Sequence, residues 1–166
     1  ILKGITKLGF VTPSENQEKA IPPLSGGEQD FVGLAQTGTG KTAAFGLPLI
    51  QHINFKSKDT QGLVICPTRE LCMQITKDLI SFAYYMPNPN IVPVYGGASI
   101  SDQIRRINRG AQIVVATPGR LLDLINRKAI KLKTVSRVIL DEADEMLNMG
   151  FKEDIDSILE QTPAVK

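Results

Sequence analysis

A glycine-rich stretch is the part of this sequence best suited to chemistry. Residues 35–42 read AQTGTGKT, after an apolar run and before residues typical of a helix. Glycines let backbone N–H groups turn toward phosphate oxygens, and the positive end of a following helix also attracts anions. Lys41 can reach terminal phosphates, and Thr42 carries a hydroxyl suited to magnesium. The pattern predicts a phosphate-binding loop, with Ala35 where glycine is commoner; the alternative is a glycine-rich turn with a capping threonine.

Two acidic residues follow a second apolar run, near the end of the chain. Asp141 ends the run 138–140 and Glu142 comes next. A carboxylate at the end of a later strand is the expected magnesium partner of such a loop, and Glu142 could orient or deprotonate an attacking water. Helix capping explains the acidic pair taken alone. Together with Lys41, the pair predicts the second half of one nucleotide and magnesium site.

The elements that must position these residues alternate along the chain. Contiguous apolar, β-branched runs predict buried strands at 31–35, 63–66, 91–95, 113–116 and 138–140. Helix-like stretches lie between them, at 41–51, 69–83, 99–108, 119–127 and 142–160, the last broken near Gly150. This order predicts an α/β fold, a parallel β-sheet with helices on both faces, whose ligands bind at the carboxyl ends of the strands.

Length and composition favour one ordinary globular domain. The chain has 166 residues, 42% of them hydrophobic and 22% charged, which is unlike a disordered or fibrous protein. Two cysteines and one histidine are too few for a disulfide scaffold or a multi-histidine metal site, so we expect packed thiols in a reducing compartment. No apolar run approaches a membrane span and the first residues lack a signal-peptide cleavage pattern, so we expect a cytoplasmic protein with no membrane partner.

The net charge of +2 hides an uneven distribution. Residues 1–104 carry eight basic and eight acidic side chains, whereas residues 105–137 carry nine basic residues against one acid, giving +8. Residues 138–166 reverse this, with eight acids against two lysines, giving −6. The basic stretch is either a set of solvated helix faces or a surface that attracts a polyanion.

The acidic pair is also part of a motif that resembles one of a known protein family. Residues 141–144 spell DEAD, and with AQTGTGKT they make the chain resemble the DEAD-box family of ATP-dependent RNA helicases. Further matches occur in that family's order: GF at 9–10 with PS at 13–14 and Gln17, PTREL at 67–71, the glycine pair at 96–97, and TPGR at 117–120. The resemblance covers about residues 5–161, and the stretch 145–151 is similar to bacterial members.

The resemblance implies an N-terminal RecA-like domain that binds ATP and Mg²⁺. Its implied nucleotide contacts are Phe10, Gln17, Gln36, Thr37, Gly38, Thr39, Gly40, Lys41 and Thr42. Thr42 and Asp141 would hold the metal, and Lys41, Asp141 and Glu142 would be catalytic. For Gln17 a capping box with Ser14 is a specific alternative, in which its side chain returns to the backbone N–H of Ser14.

The same resemblance implies RNA contacts to the sugar–phosphate backbone, which carry no base information. They fall on Thr68, Arg69, Gly97, Thr117 and Arg120. A surface ion pair between Arg69 and Glu70 and a plain turn at the glycine pair are the alternatives. Outside these positions, Lys128, Lys131 and Lys133 are expected to be solvated.

The family's arginine finger lies on a second RecA-like domain that this sequence does not contain. We therefore expect residues 1–166 to be a monomeric, truncated first domain with weak ATP and RNA binding and little unwinding by itself. Two other functions stay open at this point. One is a different P-loop translocase or kinase, and the other is an RNA clamp that uses ATP turnover to time its release.

Overall fold

A four-stranded parallel sheet organises the fold. The computed structural model describes residues 6, 9, 12–26, 30–34 and 38–163. Its strands are β1 (Gly62–Ile65), β2 (Ile91–Val94), β3 (Ile113–Ala116) and β4 (Arg137–Leu140), arranged in the order β2-β3-β1-β4. All three neighbouring pairs are parallel. The carboxyl ends of all four strands therefore lie along one edge of the sheet.

Two helices of the described part of the chain precede the first strand, and others connect the strands and follow the last one. They are α1 (Glu15–Gly26), α2 (Lys41–His52), α3 (Arg69–Phe82), α4 (Ile100–Asn108), α5 (Pro118–Asn126), α6 (Ala143–Asn148) and α7 (Lys152–Leu159). The last predicted helix is divided as expected, because Gly150 has a φ of 84° between α6 and α7. Within the described ranges, no helix combines the length and the apolar character needed to cross a bilayer.

The two sheet faces bury two different hydrophobic clusters. Leu63 and Ile65 of β1 pack in a cluster with residues of α4 to α7, whereas Val64 and the following Cys66 pack in a cluster with residues of α2 and α3. Successive strand residues point to opposite faces, so a strand covered on both sides must be apolar throughout. The predicted α/β fold with helices on both faces is therefore confirmed.

One predicted strand is wrong where the structure describes it. Residues 30–34 have no regular secondary structure, and Val32 and Leu34 are 88% and 96% exposed. The ring of Phe31 folds back over Gly33, where a Cβ would lie 2.9 Å from the ring carbon Cε1. Within the described residues β4 pairs only with β1. An apolar run predicts a strand only if a neighbouring strand accepts it, and sequence pattern does not report that pairing.

Candidate functional site

The glycine-rich loop enters α2 at the carboxyl edge of the sheet. Gly38 and Gly40 have φ angles of 83° and 81°, which is the left-handed region, and Lys41 and Thr42 form the first turn of the helix. A Cβ on Gly40 would lie 2.5 Å from Nε2 of Gln17, so a side chain there would displace the Gln17 amide in addition to straining the backbone φ. Of the predicted nucleotide contacts, Phe10, Gln36 and Thr37 lie outside the described residues.

Gln17 ties the start of α1 to this loop. The backbone N–H of Ser14 donates to Oε1 of Gln17 at 3.0 Å, and the N–H of Gln17 donates to Oγ of Ser14 at 3.4 Å. The capping box is therefore formed. In addition, Nε2 of Gln17 donates to the carbonyl of Gly40 at 3.3 Å, and Oγ of Ser14 donates to the carbonyl of Thr39 at 3.1 Å. A glutamine amide has two donors and two acceptor positions, so its adenine contact stays a prediction that the cap does not exclude.

Asp141 lies at the same edge as the loop. Its N–H donates to the carbonyl of Ile65 at 2.9 Å, which extends the pairing of β4 with β1, and the residue is 9% exposed. Burial raises the pKa of the Asp141 carboxyl, while the positive charge of Lys41 and the backbone N–H of Glu142 act in the opposite direction. The two halves of the predicted site are thus close enough to interact electrostatically.

Glu142 follows with an unusual backbone. Its φ of 54° and ψ of 49° are left-handed, and its carbonyl accepts from the N–H of Met146 at 3.0 Å in the first turn of α6. A non-glycine residue in this region costs about 1–2 kcal/mol, so the surrounding structure must hold it there. Among the described residues no group of three or more His, Cys, Asp or Glu side chains is placed to hold a metal. Magnesium would rely on Asp141, Thr42 and the phosphates of its nucleotide.

Two thiols lie beneath these carboxylates. Cys66 and Cys72 are unpaired by disulfide and fully buried, as expected for packed thiols. Cys72 donates from Sγ to the carbonyl of Val115 at 3.1 Å. A hydrogen bond with Cys72 and burial raise the pKa of Cys66, and the charges of Asp141 and Glu142 act in the same direction. Cys66 is therefore a neutral packing group under the site.

Arg69 and Gly97 lie together on the part of the edge predicted for RNA. The guanidinium carbon of Arg69 lies 5.1 Å from the centroid of the Tyr95 ring, a cation–π arrangement. A Cβ on Gly97 would lie 3.8 Å from Nη1 of Arg69. No ion pair joins Arg69 to Glu70 in the described part of the chain. The ion-pair alternative is therefore wrong.

The two threonines predicted to contact RNA begin helices at this edge. Oγ1 of Thr68 accepts from the N–H of Leu71 at 3.2 Å and caps α3. Thr117 precedes α5, and its N–H donates to the carbonyl of Val94 at 2.9 Å. The side chain of Thr117 makes no capping bond, so its hydroxyl is available to a ligand.

Gln103 is a buried residue that sequence reasoning missed. Nη1 of Arg120 donates to Oε1 of Gln103 and to the carbonyl of Ala98, both at 3.1 Å. Nε2 of Gln103 donates in turn to the carbonyl of Tyr95 at 3.0 Å, and the residue is 4% exposed. Gln103 and Tyr95 therefore connect the two arginines. The available signal was a polar residue on the apolar stripe of α4, three residues after Ile100 and four before Ile107.

The structure brings most of the predicted site residues to one edge of the sheet. The described ones at this edge are Gln17, Gly38, Thr39, Gly40, Lys41, Thr42, Thr68, Arg69, Gly97, Thr117, Arg120, Asp141 and Glu142. The nucleotide group lies around the start of α2 and the end of β4. The RNA group follows the ends of β1, β2 and β3, so the two groups adjoin.

Replacing Asp141 with asparagine should raise the free energy of unfolding above that of the parent chain. This gain should grow as pH rises from the acid range to neutrality. A carboxyl whose pKa is raised by folding favours the folded state below its unfolded pKa, and that contribution is lost as pH rises through the folded pKa. Asparagine stays neutral and avoids this loss. Urea unfolding across that pH range measures the difference, with Glu160→Gln on an exposed residue as the control. A D141N profile parallel to that of the parent chain would contradict the assignment.

Replacing Gln103 with leucine should destabilise the chain by about 1 kcal/mol, because a half-buried guanidinium N–H of Arg120 and the carbonyl of Tyr95 lose their partners. Gln74→Leu, on the exposed face of α3, is the matched control and should change stability by about 0.5 kcal/mol or less. Chemical unfolding of the three proteins gives the comparison. Equal stabilities would show that the network does not hold the arginines.

Comparison with known proteins places this geometry in a family. The model of the DEAD/DEAH box helicase family matches residues 14–166. An ATP-dependent RNA helicase, CshA, of Listeria monocytogenes is 52% identical over 99% of this chain and 31% of its own length. ATP-dependent RNA helicase DeaD of Mycobacterium tuberculosis is 46% identical over the whole chain and 29% of its own length. The chain thus spans about a third of the length of these relatives.

Solved structures agree with the sequence relatives. The crystal structure of a DEAD box protein from Methanococcus jannaschii matches with a TM-score of 0.93 and 44% identity, over 98% of this chain and 44% of the other. A hypothetical ATP-dependent RNA helicase from Sulfolobus tokodaii gives a TM-score of 0.89 and 42% identity, over 99% of this chain and 47% of the other. Because the family model matches nearly the whole chain, the sequence resemblance is confirmed and the chain belongs to the DEAD/DEAH box helicase family.

Proposed function

We propose that this chain is the nucleotide-binding half of an ATP-dependent RNA helicase. It binds ATP with Mg²⁺ at the start of α2 and the RNA backbone at the ends of β1 to β3. A second RecA-like domain completes the enzyme. The observation that carries the proposal is the convergence of the start of α2 and the buried Asp141, close enough for the charge of Lys41 to oppose the rise in pKa that burial causes at Asp141, at the same edge as the Arg69 and Arg120 network.

The nucleotide half fits a triphosphate and a hard cation. The two left-handed glycines and the positive end of α2 favour phosphate oxygens, and Lys41 adds a charge. Burial raises the pKa of the Asp141 carboxyl, so a bound cation would stabilise its charged form, with Thr42 supplying a second oxygen. Mg²⁺ neutralises charge on the phosphates when it is bound. Glu142, held by its backbone beside Asp141, orients the attacking water and accepts its proton.

The residues proposed to bind RNA are suited to contacts with its sugar–phosphate backbone rather than with its bases. The guanidinium of Arg120 uses Nη1 for two protein carbonyl oxygens, so its remaining N–H groups are free to bind phosphate. Arg69 is held over an aromatic ring beside a glycine, which lets a strand approach closely. Such contacts position an RNA without reading its sequence.

Two active-site variants test the proposal. Binding is measured on the 166-residue chain, and hydrolysis on a chimera joined to the remaining part of the Listeria monocytogenes relative. Lys41→Ala should abolish ATP binding. Glu142→Gln should keep ATP binding but lower RNA-stimulated hydrolysis by about 100-fold or more, since the general base is lost. The control is Glu145→Gln, an exposed glutamate on α6.

Single-stranded RNA should stimulate the chimera more than single-stranded DNA of the same sequence. Equal stimulation by both, or full turnover by Glu142→Gln, would reject the proposal. If a nonhydrolysable ATP analogue supports separation of the duplex, hydrolysis would be needed only to release the RNA from the protein, as in a clamp.

A Gln17→Glu variant separates adenine recognition from helix capping. Glutamate keeps the acceptor for the Ser14 N–H, so the capping box stays, but it loses the amide donors. The bond to the Gly40 carbonyl is lost for both nucleotides, so we expect ATP affinity to fall about tenfold more than GTP affinity, which corresponds to one further lost hydrogen bond. Calorimetric titration with both nucleotides measures the ratio. An unchanged preference for ATP over GTP would show that Gln17 does not recognise adenine and has only a structural role.

A further inference from the structure

A cavity of about 410 Å³ lies on the side of the sheet opposite the nucleotide edge. It is formed by the segments that lead into β1, β2 and β3, at the amino ends of these strands. Residues 55–58, residues 87–90 and residues 109–112 supply its walls. None of the described residues assigned to nucleotide or RNA lines it.

The walls are locked together by hydrogen bonds. Nε2 of the buried Gln112 donates to the carbonyl of Ser57 at 2.9 Å, and its Oε1 accepts from the N–H of Asn90 at 2.8 Å. Nδ2 of Asn90 donates to the carbonyl of Gly110. A Cβ on Gly110, whose φ is 101°, would lie 2.8 Å from Cβ and 3.2 Å from Cα of Lys58. The cavity is therefore a preformed feature of the fold.

The charge of the cavity is positive. Lys56, Lys58 and Arg109 line it, and no described residue of its lining is an aspartate or glutamate. None of the three cations takes part in an ion pair in the described part of the chain, whereas Lys19, Arg105, Arg127 and Lys152 do. The side-chain amides of Asn88 and Asn90 add further donors. Converging cations and amide donors without a carboxylate suit a phosphate group.

The basic stretch of residues 105–137 extends this surface. Arg120 lies at the nucleotide edge, but Arg109 lines the cavity, and Lys131 and Lys133 precede β4 at the same edge as the cavity. Oγ1 of Thr134 donates to the carbonyl of Thr60 at 2.8 Å, which joins the segment before β4 to the segment that carries the cavity lysines. The excess positive charge thus divides between two opposite edges.

The lining favours a nucleic acid over a protein. Protein interfaces are anchored by exposed aromatic and apolar side chains at their centre. Here the one aromatic residue among the described lining, Phe55, is 8% exposed and belongs to the core. A cluster of unpaired lysine and arginine side chains on one face is the electrostatic pattern of a backbone-binding surface.

We infer that this cavity is a second RNA-binding site, which takes phosphates of a single strand on the edge opposite the helicase site. Lys56, Lys58 and Arg109 neutralise the phosphates, and Asn88 and Asn90 donate to their oxygens. The binding is independent of sequence and of ATP. A strand held here is part of the same RNA that reaches the other edge, or a second one.

Nuclear magnetic resonance with poly(U) RNA tests both edges of the 166-residue chain at once. The side-chain amide signals of Asn88, Asn90 and Gln112 report on the cavity, and the backbone signals of Gly96 and Gly97 report on the proposed helicase site. Poly(U) should shift both sets. In the triple variant K56Q/K58Q/R109Q the cavity signals should stop responding while the glycine signals still shift.

Salt dependence gives a second measure. Loss of three phosphate contacts should reduce the slope of log affinity against log salt by about 2 for a single strand. The matched control K19Q/K77Q/K152Q removes the same charge from residues outside the lining and should keep the response of the cavity signals. A charge-preserving variant, K56R/K58R/R109K, should also keep it.

Three results would overturn the inference. Cavity signals that do not move with poly(U), or that move equally in the charge-removed variant, would exclude phosphate binding there. Cavity signals that move with poly-glutamate and not with poly(U) would identify an acidic protein as the occupant. Failure of the proposed function can be told apart from failure of this inference. If the proposed function fails, the Gly96 and Gly97 signals would not shift with poly(U), while the cavity signals would.

Discussion

The shared direction of the four strands is the constraint on which the rest of the structure depends. Because every pair is parallel, each strand ends at the same edge, and each following segment begins there. Residues far apart in the sequence, such as Thr68 after β1 and Asp141 after β4, reach the same edge for this reason. The hydrogen bond from the Asp141 N–H to the Ile65 carbonyl carries the sheet one residue further and fixes the carboxylate at this edge.

Two kinds of support hold the residues at the edge. On the proposed nucleotide side, backbone conformation does most of this, through the left-handed glycines and the left-handed Glu142, and one side-chain bond adds to it, from Gln17 to the Gly40 carbonyl. On the other side, side chains hold side chains, with Tyr95 under one arginine and Gln103 beside the other. The first arrangement suits a ligand of fixed shape, such as a triphosphate. The second keeps charge in place while leaving N–H groups open to a variable polymer.

Much of this arrangement could be predicted from sequence, and the exceptions have physical reasons. Strands β1 to β3 and the helices between them followed from contiguous apolar runs, because a strand covered on both faces has no polar positions. Strand β4 was also expected to be buried, but this edge strand of the described sheet is only half-buried and its Leu140 is 38% exposed. The strand expected at 31–35 failed because pairing is a property of two segments, and the pattern describes one. Gln103 was missed because its bonds reach Tyr95 and Arg120, which lie 8 and 17 positions away. The basic stretch could not be divided between two edges before the course of each connection was known.

At Glu142 the requirement for an unstrained backbone conflicts with the requirement for a carboxylate. The backbone of Glu142 is left-handed, a conformation that strains any residue with a side chain but not glycine. A glycine at this position would therefore relieve the local strain and leave the first turn of α6 intact. That exchange would also remove the carboxylate next to Asp141. Stability alone would therefore favour glycine here, and under the proposed function the glutamate exchanges some stability for a carboxylate at the site.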